Sequence, residues 1–245
     1  VYSDPDLLIR ERDRRSFDLV ICDSFSPRVL IHKLRLAPFI PFVGLYGYLN
    51  GFEVHRTKYS FMRMKELLGV DILHFPMRPT IAYSNQYSDD VMFDVCIAIG
   101  GEWEFRTYFH WLEVVENLLK LNLSITLVGS LNGASLASQI CSQFPQVHST
   151  VGALSLRDVP SWIARARYFI GSDGGLWHVA CSIPVPTVVL FADCELFDDT
   201  GDRVTRETED MECEPLYHEA EVSQISPADV LVAFERLKTR TERLS

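Results

Sequence analysis

The chain has 245 residues, 47% of them hydrophobic and 23% charged, and its 33 Asp and Glu against 23 Lys and Arg give a net charge of −10. That length suits one large domain or two small ones at about 100–200 residues each, and the composition excludes a disordered, collagen-like or low-complexity chain. With no basic field to draw a phosphate backbone, nucleic acid is not an expected partner.

Six cysteines (Cys22, Cys96, Cys141, Cys181, Cys194, Cys213) are scattered without a Cys-x-x-Cys pair. The spacing predicts reduced thiols in a cytoplasmic protein, with no disulfide scaffold and no metal site. No leader pattern opens the chain, so no signal peptide is expected. The most apolar stretch, Ile183 to Ala192, carries two prolines and is about half the length of a membrane-spanning helix. No membrane span is expected.

Along the chain, Phe17 to Cys22 is a short β-branched run behind the charged stretch Arg10 to Arg15, which predicts a buried strand. Pro27 to Leu36 reads as a helix, with Ser26 as N-cap and Pro27 in its first position. Residues 38–54 are rich in Pro, Gly and aromatics, the chemistry of a cleft-lining loop around one short strand. A helix is expected from His55 to Leu68, stopped by Gly69, and the pattern then fades into a candidate linker from Asp71 to Asp90.

Beyond the linker the alternation is regular. Val95–Ile99 reads as a strand ending in Gly100-Gly101, with a helix from about Thr107 to Leu121. Ser124–Val128 is a second strand ending in Gly129-Ser130, with a helix from Ala134 to Phe144. A helix from Leu156 to Ala166, a strand Tyr168–Ile170, the turn Gly171–Gly175, a helix Leu176–Ser182 and a strand Thr187–Phe191 follow. The chain is then acidic and irregular from Asp193 to Glu221, with a last helix from Pro227 to Leu237. Apolar strands separated by helices imply an α/β fold with a parallel sheet covered on both faces. Ligands in such sheets bind at the carboxyl ends of the strands, here Gly100, Gly129 and Gly171–Gly175.

The sharpest local feature is Gly171-Ser-Asp-Gly-Gly-Leu-Trp-His-Val-Ala180, on a strand-to-helix turn. Glycines at Gly174 and Gly175 let a ligand approach the backbone, and the open N–H groups of the helix that follows suit a diphosphate. His178, one turn in, offers a second donor to the same phosphate. Asp173 is repelled by a phosphate, so it either caps the helix or accepts from a sugar hydroxyl. The alternative is purely structural: Asp173 as N-cap, a tight glycine turn and a half-buried histidine. Near Gly100, Arg106 is placed to reach a phosphate, and Trp103 or Tyr108 to stack on a base or sugar. Gly129-Ser130 closes the second strand in the same layer. Neither a Walker A pattern nor G-x-G-x-x-G is present.

These motifs, in this order, resemble glycosyltransferase family 9, the lipopolysaccharide heptosyltransferases of the GT-B fold. Asp173, Gly174, Gly175, His178 and Ala180 stand in the places of that family's D-T-G-x-x-H-x-A motif, with Gly174 replacing Thr. Arg106 falls where the family usually has Lys, and Tyr108 where it usually has Trp. Leu127-Val-Gly-Ser130, the segment from Val151-Gly152 to Ala166, Phe17-Asp-Leu-Val-Ile21 and Ile225-Ser-Pro-Ala-Asp-Val230 are similar to other family segments.

The resemblance implies two Rossmann-like domains. Residues 1–85 would form an N-terminal, acceptor-side domain lacking its opening strand and S-x-G-D turn, and residues 86–245 a C-terminal nucleotide-sugar domain. It implies an inverting transfer of a heptose-like sugar from a nucleotide-diphosphate sugar, ADP being the commonest carrier, to a saccharide or lipid-linked lipopolysaccharide-core acceptor. The donor site would comprise Arg106, Asp173, Gly174, Gly175, His178, Gly129 and Ser130, with no metal and no cofactor. Asp23 and His55 are the N-terminal candidates for a catalytic group, and the base that normally sits in the S-x-G-D turn is left unassigned. The expected location is cytoplasmic, peripheral at the inner membrane where the acceptor is lipid-linked. Two other readings follow from the same residues: a catalytically incomplete nucleotide-sugar-binding module, and a sugar-nucleotide epimerase, which would need a carboxylate pair that the sequence does not show.

Overall fold

Strands that are apolar on both sides can be satisfied only in the middle of a covered sheet, and the second half of the chain builds one. A computed structural model of the chain describes residues 18–24, 27–46, 63–69, 81–83, 92–183, 185–192, 213–218 and 220–243. It divides into two compact units, Val1–Met77 and Arg78–Ser245, ahead of the 85/86 boundary read from the sequence.

In the first unit, β1 (Val20–Ser24) and β2 (Phe42–Tyr46) run parallel, Val20 opposite Phe42 and Ser24 opposite Tyr46. They are joined through α1 (Pro27–Leu36), whose bounds are those expected from Pro27 at the first helical position. Residues 63–68 are helical and end at Gly69, whose φ of +61° is the left-handed conformation that closes helices.

The second unit runs β3 (Phe93–Ala98), α2 (Trp111–Lys120), β4 (Ile125–Val128), α3 (Ala134–Gln143), β5 (His148–Ser149), α4 (Val159–Ile163), β6 (Ala166–Ser172), α5 (Gly175–Ser182), β7 (Thr187–Ala192), β8 (Cys213–His218) and α6 (Pro227–Glu242). All six strands are parallel, in the order β5-β4-β3-β6-β7-β8. Alternate residues point to opposite faces. Val95, Ile97, Tyr168, Ile170, Val188 and Leu190 pack with Trp111, Val114, Val115 and Leu118 of α2, Ala137 and Ile140 of α3, and Val230, Phe234 and Leu237 of α6. Cys96, Ala98, Phe169, Val189 and Phe191 pack on the other face with Val159 and Ile163 of α4 and Trp177, Ala180 and Cys181 of α5. The α2 residues recur at i, i+3, i+4 and i+7, the stripe that one helix face presents to a core.

Four sequence expectations change. α2 begins at Trp111 rather than Thr107, because residues 107–110 are tied to a turn at Val222–Gln224. There Ser223 Oγ donates to the Thr107 carbonyl at 2.8 Å, and the Phe109 N–H and His110 Nε2 donate to Ser223 at 3.3 and 3.0 Å. α4 is a single short turn of helix, and Ala166, expected at its end, opens β6. Its pairing with Phe93 draws the chain into the sheet. The 193–221 segment contains β8, aligned from Thr187↔Cys213 to Ala192↔His218. Pro215 argues against a central strand, and β8 tolerates it because it lies at the edge. α6 runs past Leu237 to Glu242, and Ser226 accepts from the Asp229 N–H at 3.1 Å as its cap.

Candidate functional site

The chain runs outward from β3 through β4 to β5, then returns to the other side of β3 and runs outward again through β6, β7 and β8. Loops leaving the neighbouring strands β3 and β6 therefore diverge, which opens a crevice at their carboxyl ends. A cleft of about 220 Å³ occupies that place, lined by Ala98–Trp103, Arg106, Ser130, Asn132 and Ser172–Leu176. A larger groove of about 720 Å³ follows α6 along Leu231, Glu235, Thr239 and Arg243 and meets no strand end or glycine turn.

Two kinds of glycine meet here. Gly100 has φ +96°, and a Cβ on it would lie 2.6 Å from Asn132 Oδ1 and 3.0 Å from the Gly133 nitrogen; one on Gly129 would run into the Ile99 carbonyl. Packing of the protein itself demands those two. Gly174 is extended, with nothing nearer than the Ser172 carbonyl at 3.9 Å, and Gly175 has nothing within 4 Å. Among the described residues no neighbour requires a glycine at either place, and none fills the space over this turn.

Asp173 is held at three points. Its N–H donates to the Leu190 carbonyl at 2.8 Å, its Oδ1 accepts from Trp177 Nε1 at 3.0 Å, and its Oδ2 lies 3.2 Å from Arg106 Nη1. It does not cap α5. The N-cap residue is Gly174, among the described residues no side chain bonds the first-turn N–H groups, and the His178 N–H bonds back to the Gly174 carbonyl at 3.4 Å. The first turn of α5 thus offers uncapped N–H donors and the positive end of the helix dipole to the cleft. Arg106 enters from a 3₁₀ turn, Glu104–Arg106, closed by its own N–H on the Trp103 carbonyl at 3.0 Å, with the guanidinium over the Phe105 ring at 5.2 Å.

Arg106, Asp173, Gly174, Gly175 and Ser130 therefore share one cleft. Gly129 does not line it, lying one residue deeper against Ile99. His178 does not line it either: its exposed ring stacks on Trp177 at 4.8 Å. Trp103 is exposed and lines the cleft, whereas Tyr108 is fully buried, edge-on to Trp111 at 4.8 Å, and is closed to any base or sugar. Burial, with Glu113 and Asp229 adding to it, pushes the Tyr108 hydroxyl well above the usual phenol range. Asn132 escaped the sequence reading. Its Nδ2 donates to the Gly101 carbonyl at 2.8 Å and its Oδ1 accepts from Ser130 Oγ at 2.6 Å, strapping the β3 loop to the β4 loop. A Gly-Ser-Leu-Asn-Gly run after a strand was its signal. Asp23 sits in β1 with its side chain outside the described atoms, and His55 lies outside the described residues. Among the described residues no group of three or more His, Cys, Asp or Glu could hold a metal, and no helix is long and apolar enough to cross a membrane.

No curated protein matches the sequence. Solved structures do. A family 9 glycosyl transferase from Veillonella parvula DSM 2008 superposes with a TM-score of 0.72 at 14% identity, over 95% of this chain and 77% of that one. E. coli heptosyltransferase WaaC with ADP gives 0.69 at 16% identity, over 93% and 77%, and E. coli ADP-heptose lps heptosyltransferase II gives 0.66 at 18%, over 97% and 81%. At such identities these matches establish the shared fold. The family pattern matches residues 85–214, more than half of the chain and every residue that lines the cleft, so the chain belongs to glycosyltransferase family 9 (heptosyltransferase) and its chemistry is sugar transfer.

Proposed function

We propose that the cleft takes the diphosphate of a nucleotide-diphosphate sugar, and that the chain transfers that sugar, heptose-like, with inversion to a saccharide or lipopolysaccharide-core acceptor. The observation that carries this is the Gly174-Gly175 turn, open on its outer side, uncapped at the start of α5 and faced by Arg106. A volume of about 220 Å³ is below the roughly 300–1,000 Å³ of pockets that enclose whole drug-sized ligands, and it suits a diphosphate with the adjoining sugar.

In the reaction, the acceptor hydroxyl oxygen bonds to the anomeric carbon as the bond from that carbon to the diphosphate breaks. The hydroxyl proton passes to a base, and the nucleoside diphosphate leaves with one more negative charge. Arg106 and the α5 N–H groups neutralise that charge where it develops, which is the main work such a site has to do. Asp173 Oδ2 pairs with Arg106 at 3.2 Å; a bound phosphate would compete with that carboxylate for the guanidinium. Asp173 is then free to accept from a sugar hydroxyl. With a lipid-linked acceptor, the protein would work from the cytoplasm at the inner membrane surface, without a resident cofactor.

The test is calorimetric titration and thermal unfolding with ADP-, UDP-, GDP- and CDP-sugars. A ligand at 100 times its Kd stabilises by about 2.7 kcal/mol, and this stabilisation is expected with one carrier. No stabilisation by any of the four overturns the proposal.

A further inference from the structure

We infer that Trp177 is a positioning residue of this cleft: its buried indole fixes Asp173 by a hydrogen bond and His178 by ring stacking, so that one side chain sets two polar groups of the turn. The inference rests on the donor-site reading above.

Trp177 is 0% exposed. Its ring is wedged edge-on against Phe191 at 5.6 Å, and Phe191 stacks in turn on Tyr217 at 5.1 Å. Phenylalanine could fill that apolar wedge. Beyond its larger ring, what an indole adds is one N–H, a donor that a buried site must satisfy. The acceptor here is a carboxylate oxygen, Asp173 Oδ1 at 3.0 Å, a charge-assisted bond between positions four residues apart. With Oδ1 engaged and the Asp173 N–H bound to Leu190, the carboxylate has one orientation left, with Oδ2 turned to Arg106.

The consequence lies at the helix start. An aspartate just before a helix readily folds back to accept from the first-turn N–H groups. The indole holds this one off them, and among the described residues no side chain caps α5. On its other side the same indole stacks with His178 at 4.8 Å and 29° between planes, which fixes the direction of that ring.

Calorimetry on the full chain tests this, with ADP, UDP, GDP and CDP as probes and the tightest taken forward. Trp177→Phe keeps an aromatic ring at the wedge and removes the N–H, and is expected to weaken binding by about ten-fold to a hundred-fold, the scale of a hydrogen bond to a charged group. In an Asp173→Ala background the same change is expected to cost less than about two-fold, because a residue acting through Asp173 has nothing left to act on. Independently of ligand and of how Trp177→Phe folds, the Trp177 indole N–H resonance of the otherwise native chain is expected to move on Asp173→Ala. Equal losses in both backgrounds, or an unmoved resonance, overturn the inference. So does unchanged binding by Trp177→Phe while Arg106→Ala binds poorly, an outcome that leaves the donor-site reading standing. Unchanged binding by Arg106→Ala overturns that reading and this inference together.

Discussion

Arg106 and Asp173 follow different strands, β3 and β6, and their side chains meet 3.2 Å apart over the crevice between them. Both are largely but not fully buried, with 30% and 17% of the side chain exposed. In a partly buried pair the cost of desolvation offsets most of the attraction, so its net contribution to folding is small, about 1 kcal/mol, while on the proposed donor reading the arginine holds the diphosphate. Arg106→Ala is therefore expected to move the unfolding midpoint by no more than about 4 °C and to weaken nucleoside-diphosphate binding at least about ten-fold. Titration at two salt concentrations should show the wild type losing affinity with salt and the variant losing less of it.

Gly175 and Gly100 separate what binding asks of a glycine from what folding asks. Gly175→Ala meets nothing within 4 Å, so stability is expected to change by less than about 0.5 kcal/mol, while donor affinity falls as the new methyl fills the ligand's approach. Gly100→Ala forces a side chain onto a φ of +96° and toward the Gly133 backbone, at an expected cost of about 1–3 kcal/mol. Urea midpoints and donor titrations on the two variants check both halves.

Tyr108 has a buried hydroxyl with no hydrogen-bond partner among the described residues. An unsatisfied buried hydroxyl costs about 1–3 kcal/mol, and removing it with the ring kept in place recovers part of that. Tyr108→Phe is expected to be neutral or stabilising by up to about 1 kcal/mol in denaturant unfolding, with donor binding unchanged. A loss of donor binding would contradict its placement in the core.

Cys213, buried at the start of β8, has its thiol pushed from 9.0 up to about 12, chiefly by burial, with Glu214 raising it and Arg240 lowering it. The folded state then holds a proton that the unfolded chain releases above pH 9. Its contribution is complete below pH 9 and is lost as the pH rises toward 12. At pH 10 the loss is about 1.4 kcal/mol for this one thiol. Urea unfolding at pH 8 and pH 10 should show the decline, and Cys213→Ala should show less of it.

Sequence alone determined the layered parallel architecture. The runs around Val95, Ile125, Tyr168 and Thr187 are apolar in consecutive positions, which only a sheet buried on both faces can satisfy, and the glycines near the carboxyl ends of three of them mark the edge of the sheet where the cleft opens. Local signals of that kind depend on neighbours in the chain, so they are legible there. Tertiary structure decided what depends on distant partners. β8 becomes a strand through pairing with β7 despite Pro215, and Tyr108 enters the core because Ser223 ties down the segment that carries it. Asp173 turns from cap to clamp because Trp177 and Arg106 take its two oxygens. Asn132 reaches the cleft only when β3 and β4 lie side by side. Periodicity fixes which residues are buried, but which polar groups face one another is set by packing between elements far apart in the chain.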